Sequence, residues 1–253
     1  MNKGMVAWLP LVGAGVLAGA MNAMAGGGSF VTLPSLIAAG VPSVAANASS
    51  TIALYPGGVT SAWVYRDGLR RVCGVLLRPT LVATLFGGFV GALLLLWTPS
   101  ALFDRVLPWL LLLATFALAF GQSMGPALRE RFRAGIAVVL LIQFVLGMYG
   151  GYFGGAVGLM MMATWSLLDE ADVKALAAPR TLLVSAANTV AVVCFIVAGI
   201  VHWPEALLVG LGALVGGYLG ARIGKKLPPI LVKYATVLLA AAMTLHFFLR
   251  AYS

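Results

Sequence analysis

Ten apolar runs fill almost the whole chain, and no other feature restricts its fold as much. They cover about 6–25, 28–40, 44–64, 76–97 and 102–122, then about 134–153, 155–168, 177–200, 204–221 and 230–249. Several approach or exceed the roughly 18 residues that a helix needs to cross a bilayer. With 62% hydrophobic and only 9% charged residues, the chain is a polytopic membrane protein and not a soluble domain. The predicted fold is all-α, a transmembrane helical bundle of about eight to ten membrane segments.

The chain also reads as one unit written twice. Ala25-Gly26-Gly27-Gly28-Ser29 interrupts the first apolar region, and Gly154-Gly155-Ala156-Val157-Gly158 follows it by 129 residues. Gly87-Gly88-Phe89-Val90-Gly91 returns as Gly216-Gly217-Tyr218-Leu219-Gly220 at the same offset. Glycine costs a helix about 1 kcal/mol against alanine, so the helix is expected to break at each cluster that interrupts a span. The segments after the breaks, 28–40 and 155–168, are too short to span about 30 Å of hydrocarbon and are predicted to be half-helices or re-entrant. The expected organisation is a single transmembrane domain over 1–253, with repeat one at about 4–122, a cytoplasmic linker at 123–133 and repeat two at about 134–250. Five segments per repeat make the second copy enter from the opposite side, which predicts inverted-topology repeats. Gly212, Gly216 and Gly220, like Gly87 and Gly91, have the spacing of close helix packing.

The net charge of +9 sits in short loops. Arg66, Arg70, Arg71 and Arg78, then Arg129, Arg131 and Arg133, then Arg222, Lys225 and Lys226 are placed in the cytoplasm by the positive-inside rule, with the chain in the cell inner membrane. No contiguous basic face is left for nucleic acid. Cys73 falls in a basic loop and Cys194 in an apolar segment, so neither a disulfide nor a metal cluster is expected. Lys3 and the apolar run to Ala23-Met24-Ala25 imitate a signal peptide, but the segment has a counterpart in mid-chain.

All seven acids (Asp67, Asp104, Glu130, Asp169, Glu170, Asp172 and Glu205) lie in loops or at segment ends. That disfavours a cation carrier built on buried carboxylates. His202 and His246 also lie near segment ends, which leaves no nucleophile and base for an intramembrane hydrolase. No enzyme activity and no cofactor are expected, and no ATP-binding motif is present. An anion path remains. A half-helix opening at Gly27, Gly28 and Ser29 directs unpaired N–H groups and a positive dipole end at the break, with Gly155 in the second copy. Asn47, Ser49, Ser50 and Thr51 open the third segment with more polar groups than one cap needs. At the 129-residue offset Thr51 matches Arg180, the fixed positive charge nearest the centre. Thr181 and Asn188 share its helix face. Helix capping and an interfacial Arg180 paired with the acidic loop are the plainer accounts of the same residues.

With these residues in view, the chain resembles the TauE/SafE sulfite-exporter family, also called the toluene sulfonate uptake permease family. The likeness lies in Gly26-Gly27-Gly28-Ser29 to Pro34, Gly40-Val41-Pro42 and Ala46-Asn47-Ala48-Ser49. It continues through Gly150-Gly151-Tyr152-Phe153-Gly154-Gly155, Arg180 and Asn188 to Gly199-Ile200-Val201-His202-Trp203. The resemblance implies a multi-pass inner-membrane transporter of sulfite, sulfoacetate or a similar sulfur-containing anion. Many members carry a fuller glycine triplet where this chain has Gly155-Ala156-Val157, so the two half-sites are expected to differ. The expected function is secondary transport of a small anion by alternating access. An anion channel of the same architecture and a non-transporting membrane scaffold are the alternatives. The partners expected are the anionic substrate and the lipid bilayer; a homo-oligomer is compatible with this, and no coupling ion is identified.

Overall fold

A computed structural model describes residues 3–24, 26–120, 135–168, 175–224 and 226–252. Among them are ten α-helices: α1 (Lys3–Met24), α2 (Ser29–Ala38), α3 (Ser43–Val64), α4 (Leu77–Trp97), α5 (Ser100–Phe120), α6 (Ile136–Phe153), α7 (Val157–Leu168), α8 (Ala177–Val197), α9 (Trp203–Gly224) and α10 (Pro229–Tyr252). The expected linker 123–133 lies outside the described residues, as do the acidic loop 169–172 and Lys225. Prolines mark several starts. Pro42 precedes α3, and the carbonyls of Pro99 and Pro228 accept the first bonds of α5 and α10. Glu205 occupies the first turn of α9, where a carboxylate meets the positive dipole end.

Six helices, α4, α5, α6, α8, α9 and α10, are long and apolar enough to cross a membrane. In none of them is more than 39% of the apolar window buried, so most of that surface faces outward, as contact with hydrocarbon requires. The half-helices are as short as expected. α2 has 10 residues and α7 has 12, about 15 and 18 Å of helix.

The tightest contacts are made by glycine. α1 packs on α9 and α4 on α6. A Cβ on Gly216 would sit 1.8 Å from the Val16 carbonyl oxygen, and one on Gly91 would sit 2.0 Å from that of Met148. Backbones this close exclude any side chain, which is the use of small residues between membrane helices. Several pairings keep their partners when the halves are exchanged. α1 on α9 corresponds to α6 on α4, α4 on α8 to α9 on α3, and α5 on α7 to α10 on α2. α3 crosses α8, and α5 meets α10, where Thr115 and Thr244, 129 residues apart, share a hydrogen bond of 3.1 Å. This is consistent with two repeats around a two-fold axis.

The loops follow the same pattern. After α3 a tight turn at Val72–Val75, with Cys73 and Gly74 at positive φ, buries Val72 fully among residues that include Met161, Trp165 and Leu183 of the second half. After α8, Gly199 (φ +68) turns the chain and Val201 is buried against a core that includes Phe30 and Leu33 of the first half.

Candidate functional site

Both helix breaks are built on left-handed residues. α1 closes at Gly26 (φ +82), whose N–H donates to the carbonyls of Met21 and Asn22. α2 then begins, its first bonds running back to the Gly27 and Gly28 carbonyls. Among the described residues the amides of Gly27, Gly28 and Ser29 find no acceptor. In the second half Gly154 (φ +69) and Ala156 (φ +58) make the turn, and the amides of Gly155 to Gly158 are likewise without an acceptor among the described residues. The two breaks touch. A Cβ on Gly155 would lie 3.1 Å from the Ser29 Cβ, and one on Gly154 would lie 2.6 Å from the Thr51 hydroxyl.

Between them, where α3 crosses α8, lies a cavity of about 110 Å³. Gly26, Ser29, Thr51 and Asn22 line it from the first half; Gly154, Gly158, Arg180, Thr181, Ser185 and Asn188 line it from the second. A wider vestibule of about 400 Å³ adjoins it through Asn22, Ser61, Arg180 and Thr181. The vestibule continues past Tyr65 and Tyr218 toward the loop that carries Arg66, Arg70 and Arg71. The Arg180 stem lies over Gly158, with Cδ 3.6 Å from where a Cβ would be. No carboxylate or imidazole lines either space, and no carboxylate pairs with Arg180 among the described residues. The site therefore has one fixed positive charge and two helix starts whose amides find no acceptor among the described residues, the chemistry that holds an anion. No set of three His, Cys, Asp or Glu side chains among the described residues could hold a metal.

Five predicted residues line the cavity: Ser29, Thr51, Arg180, Thr181 and Asn188. Thr51 and Thr181 donate their hydroxyls within their own helices, to the Asn47 and Ala178 carbonyls, so they offer the cavity oxygen lone pairs and methyls. The other six lie outside the lining. Gly28 packs between α1 and α3, where a Cβ would be 2.7 Å from the Ala18 carbonyl oxygen. Gly27 faces Thr236 of α10, and Gly155 faces Phe153. Asn47 Nδ2 donates to the Tyr152 carbonyl at 3.0 Å. Ser49 Oγ accepts from the His202 amide at 3.0 Å, and Ser50 bonds Thr32 on α2. These three side chains fasten helices to one another.

The sequence reading passed over Asn22, Gly26, Gly154, Ser61 and Ser185 as lining residues. Ser185 was accessible to it, since Thr181, Ser185 and Asn188 are spaced by 4 and 3 on one helical stripe. Gly154 and Gly26 were within reach as the glycines that end a helix rather than those that begin the next.

The family model for "Sulfite exporter TauE/SafE" matches residues 11–247. A protein of Escherichia coli K12 named "Probable membrane transporter protein YfcA" is 30% identical over 213 residues, which is 84% of this chain and 77% of that protein. A "Probable membrane transporter protein" of Haemophilus influenzae is 27% identical over 91% of this chain and 90% of its own length. "Probable membrane transporter protein ORF9" of a Sinorhizobium species is 25% identical over 92% and 89%. No solved structure matches the chain. The match to the family model from the middle of α1 to the last turns of α10, together with the multi-pass helical bundle, shows that the chain belongs to the sulfite exporter TauE/SafE family of membrane transporters.

Proposed function

We propose that the protein is a secondary transporter of a small anion, a sulfur-containing oxyanion or organosulfonate, working by alternating access between inverted repeats. One observation supports this reading: Arg180 and the starts of two half-helices, at Ser29 and at Val157 and Gly158, whose amides have no acceptor among the described residues, line one cavity between the halves. The vestibule joins this cavity on the arginine-rich side, which the positive-inside rule assigns to the cytoplasm of the inner membrane. On the opposite side α3 accepts a hydrogen bond from the His202 amide at Ser49 and donates from Asn47 and Ser43 to the Tyr152 and Ser100 carbonyls, which supports a closed end there. One closed and one open end favour a carrier over a channel.

Counterflow in proteoliposomes tests both points. Vesicles loaded with unlabelled sulfite should transiently accumulate labelled sulfite above its outside concentration, and Arg180→Ala should abolish this. Flux that follows the gradient alone, without such accumulation, supports a channel. An Arg180→Ala variant with wild-type counterflow removes Arg180 from the site.

A further inference from the structure

The cavity holds two buried polar atoms that have no hydrogen-bond partner among the described residues, Ser185 Oγ and Asn188 Oδ1. Ser185 is only 6% exposed, and both residues line the cavity. Such atoms are uncommon, because an unpaired buried donor or acceptor costs stability without return. Both lie on the cavity face of α8, three residues apart and therefore neighbours on its surface. Arg180 is five residues before Ser185, about 7.5 Å along the helix axis, and borders the vestibule as well. The site thus has two separated ends, a charged one at Arg180 and an uncharged one at Ser185 and Asn188.

An anionic head group can bond the guanidinium and the open amides. It cannot bond a carboxamide oxygen, which only accepts. A hydroxyl can serve both orphaned atoms at once, donating to Asn188 Oδ1 and accepting from the Ser185 hydroxyl. We infer that Ser185 and Asn188 form a second, uncharged pole that selects short organic anions bearing a hydroxyl group a few carbons from the charged head. This deepens the anion-transport reading and rests on it. A site built to hydrogen-bond a ligand hydroxyl discriminates strongly against the analogue that lacks it, because the site's own polar groups are then left unpaired.

The test is a thermal-shift titration of the purified full-length protein with 2-hydroxyethanesulfonate, ethanesulfonate and inorganic sulfite, since a ligand of the native state raises apparent stability. The wild-type protein should favour 2-hydroxyethanesulfonate over ethanesulfonate by about tenfold. Ser185→Ala and, separately, Asn188→Ala should bring that ratio close to one. Arg180→Lys should weaken both organic probes together and keep the ratio. Equal affinity of the wild-type protein for the two sulfonates, as when water alone fills the uncharged pole, overturns the inference and leaves the anion reading standing. So does binding of sulfite alone. If none of the three anions stabilises the wild-type protein, the anion reading fails and takes the inference with it. The wild-type ratio decides even if a variant is not recovered folded.

Discussion

The same helix start occurs twice in this molecule and has been put to two uses. At the beginning of α3 stand Asn47, Ser49, Ser50 and Thr51; 129 residues later, at the beginning of α8, stand Leu176, Ala178, Pro179 and Arg180. The first set is buried, and Asn47, Ser49 and Ser50 are hydrogen-bonded outward to the Tyr152 carbonyl, the His202 amide and Thr32, while Thr51 bonds within its own helix. In the second set Leu176 and Ala178 are equally buried with apolar side chains, Leu176 in a cluster with Trp165 and Leu183, while Arg180 faces the vestibule. A Cβ on Gly68, in the loop after α3, would meet the Ala178 Cβ at 3.2 Å, where the loop after α8 meets a serine hydroxyl. The end at the start of α3 is thus clasped by directional bonds, whereas at the other end, where the vestibule opens, the contact between the loop after α3 and α8 is apolar among the described residues. Two copies of one unit can share a fold and still differ in how each helix start is held.

The largest effect should come from the residue that most separates the two starts. Arg180→Ala removes a charge for which α3 has only Thr51. It should weaken anion binding by about 3 kcal/mol, the upper range for hydrogen bonds to charged groups, with the protein still folded. Arg180→Lys should recover part of the loss, since the charge survives but the planar fork does not. Thermal-shift titration reads both, and an alanine variant with wild-type affinity would erase the distinction.

Next in size are the two breaks. Gly154 combines φ +69 with a Thr51 oxygen 2.6 Å from its absent Cβ, whereas Gly26 has φ +82 and nothing within 4 Å. Gly26→Ala should cost about 1–2 kcal/mol, the strain of a left-handed alanine, and Gly154→Ala should cost clearly more because Thr51 must also move. Melting of the two purified variants ranks them. Gly28→Val belongs with Gly212→Val, whose absent Cβ would lie 2.3 Å from the Val12 carbonyl oxygen. Both should lose folded protein, so neither reports on ligand access.

Much of this difference was legible in the sequence, and the reasons are physical. Hydrocarbon leaves an apolar run few options, so α2 (29–38) and α7 (157–168) fall within the predicted 28–40 and 155–168. The four-residue glycine spacing was read as packing, because only absent side chains let backbones touch. The polar excess at Asn47 to Thr51 was visible, but its partners were not. Two of them are backbone groups 105 and 153 residues away, and a backbone group carries no residue-type signal. The turn glycines Gly26 and Gly154 line the cavity while Gly27 and Gly28 lie outside its lining, a distinction carried by φ and neighbours and not by residue type.

A moderate effect is expected from giving the clasp of α3 the residues of α8. Ser49→Ala leaves the His202 amide without its acceptor, and Asn47→Leu leaves the Tyr152 carbonyl without its side-chain donor. Each should lower stability by about 1–2 kcal/mol, measured by melting without ligand. If neither melts earlier, the bonds at the start of α3 add nothing to stability and the contrast between the two helix starts loses its energetic basis.

The smallest effect compares Ser29 with its repeat partner Gly158. Ser29 opens α2 and lines the cavity, and its hydroxyl makes no hydrogen bond among the described residues. Gly158 has no side chain, and the Arg180 stem lies against it. The first break thus contributes a hydroxyl where the second contributes room for a cation. Ser29→Ala keeps the Cβ that lies 3.1 Å from where a Cβ on Gly155 would be, so packing between the breaks survives and folding should be untouched. The lost donor is neutral and its partner charged, which sets the cost at about 1 kcal/mol and at most about 3. Affinity for sulfite should fall roughly fivefold by thermal-shift titration, well short of the loss on removing Arg180. If Ser29→Ala binds as tightly as wild type, the first break acts through its amides alone, and the contrast between the half-sites reduces to Arg180.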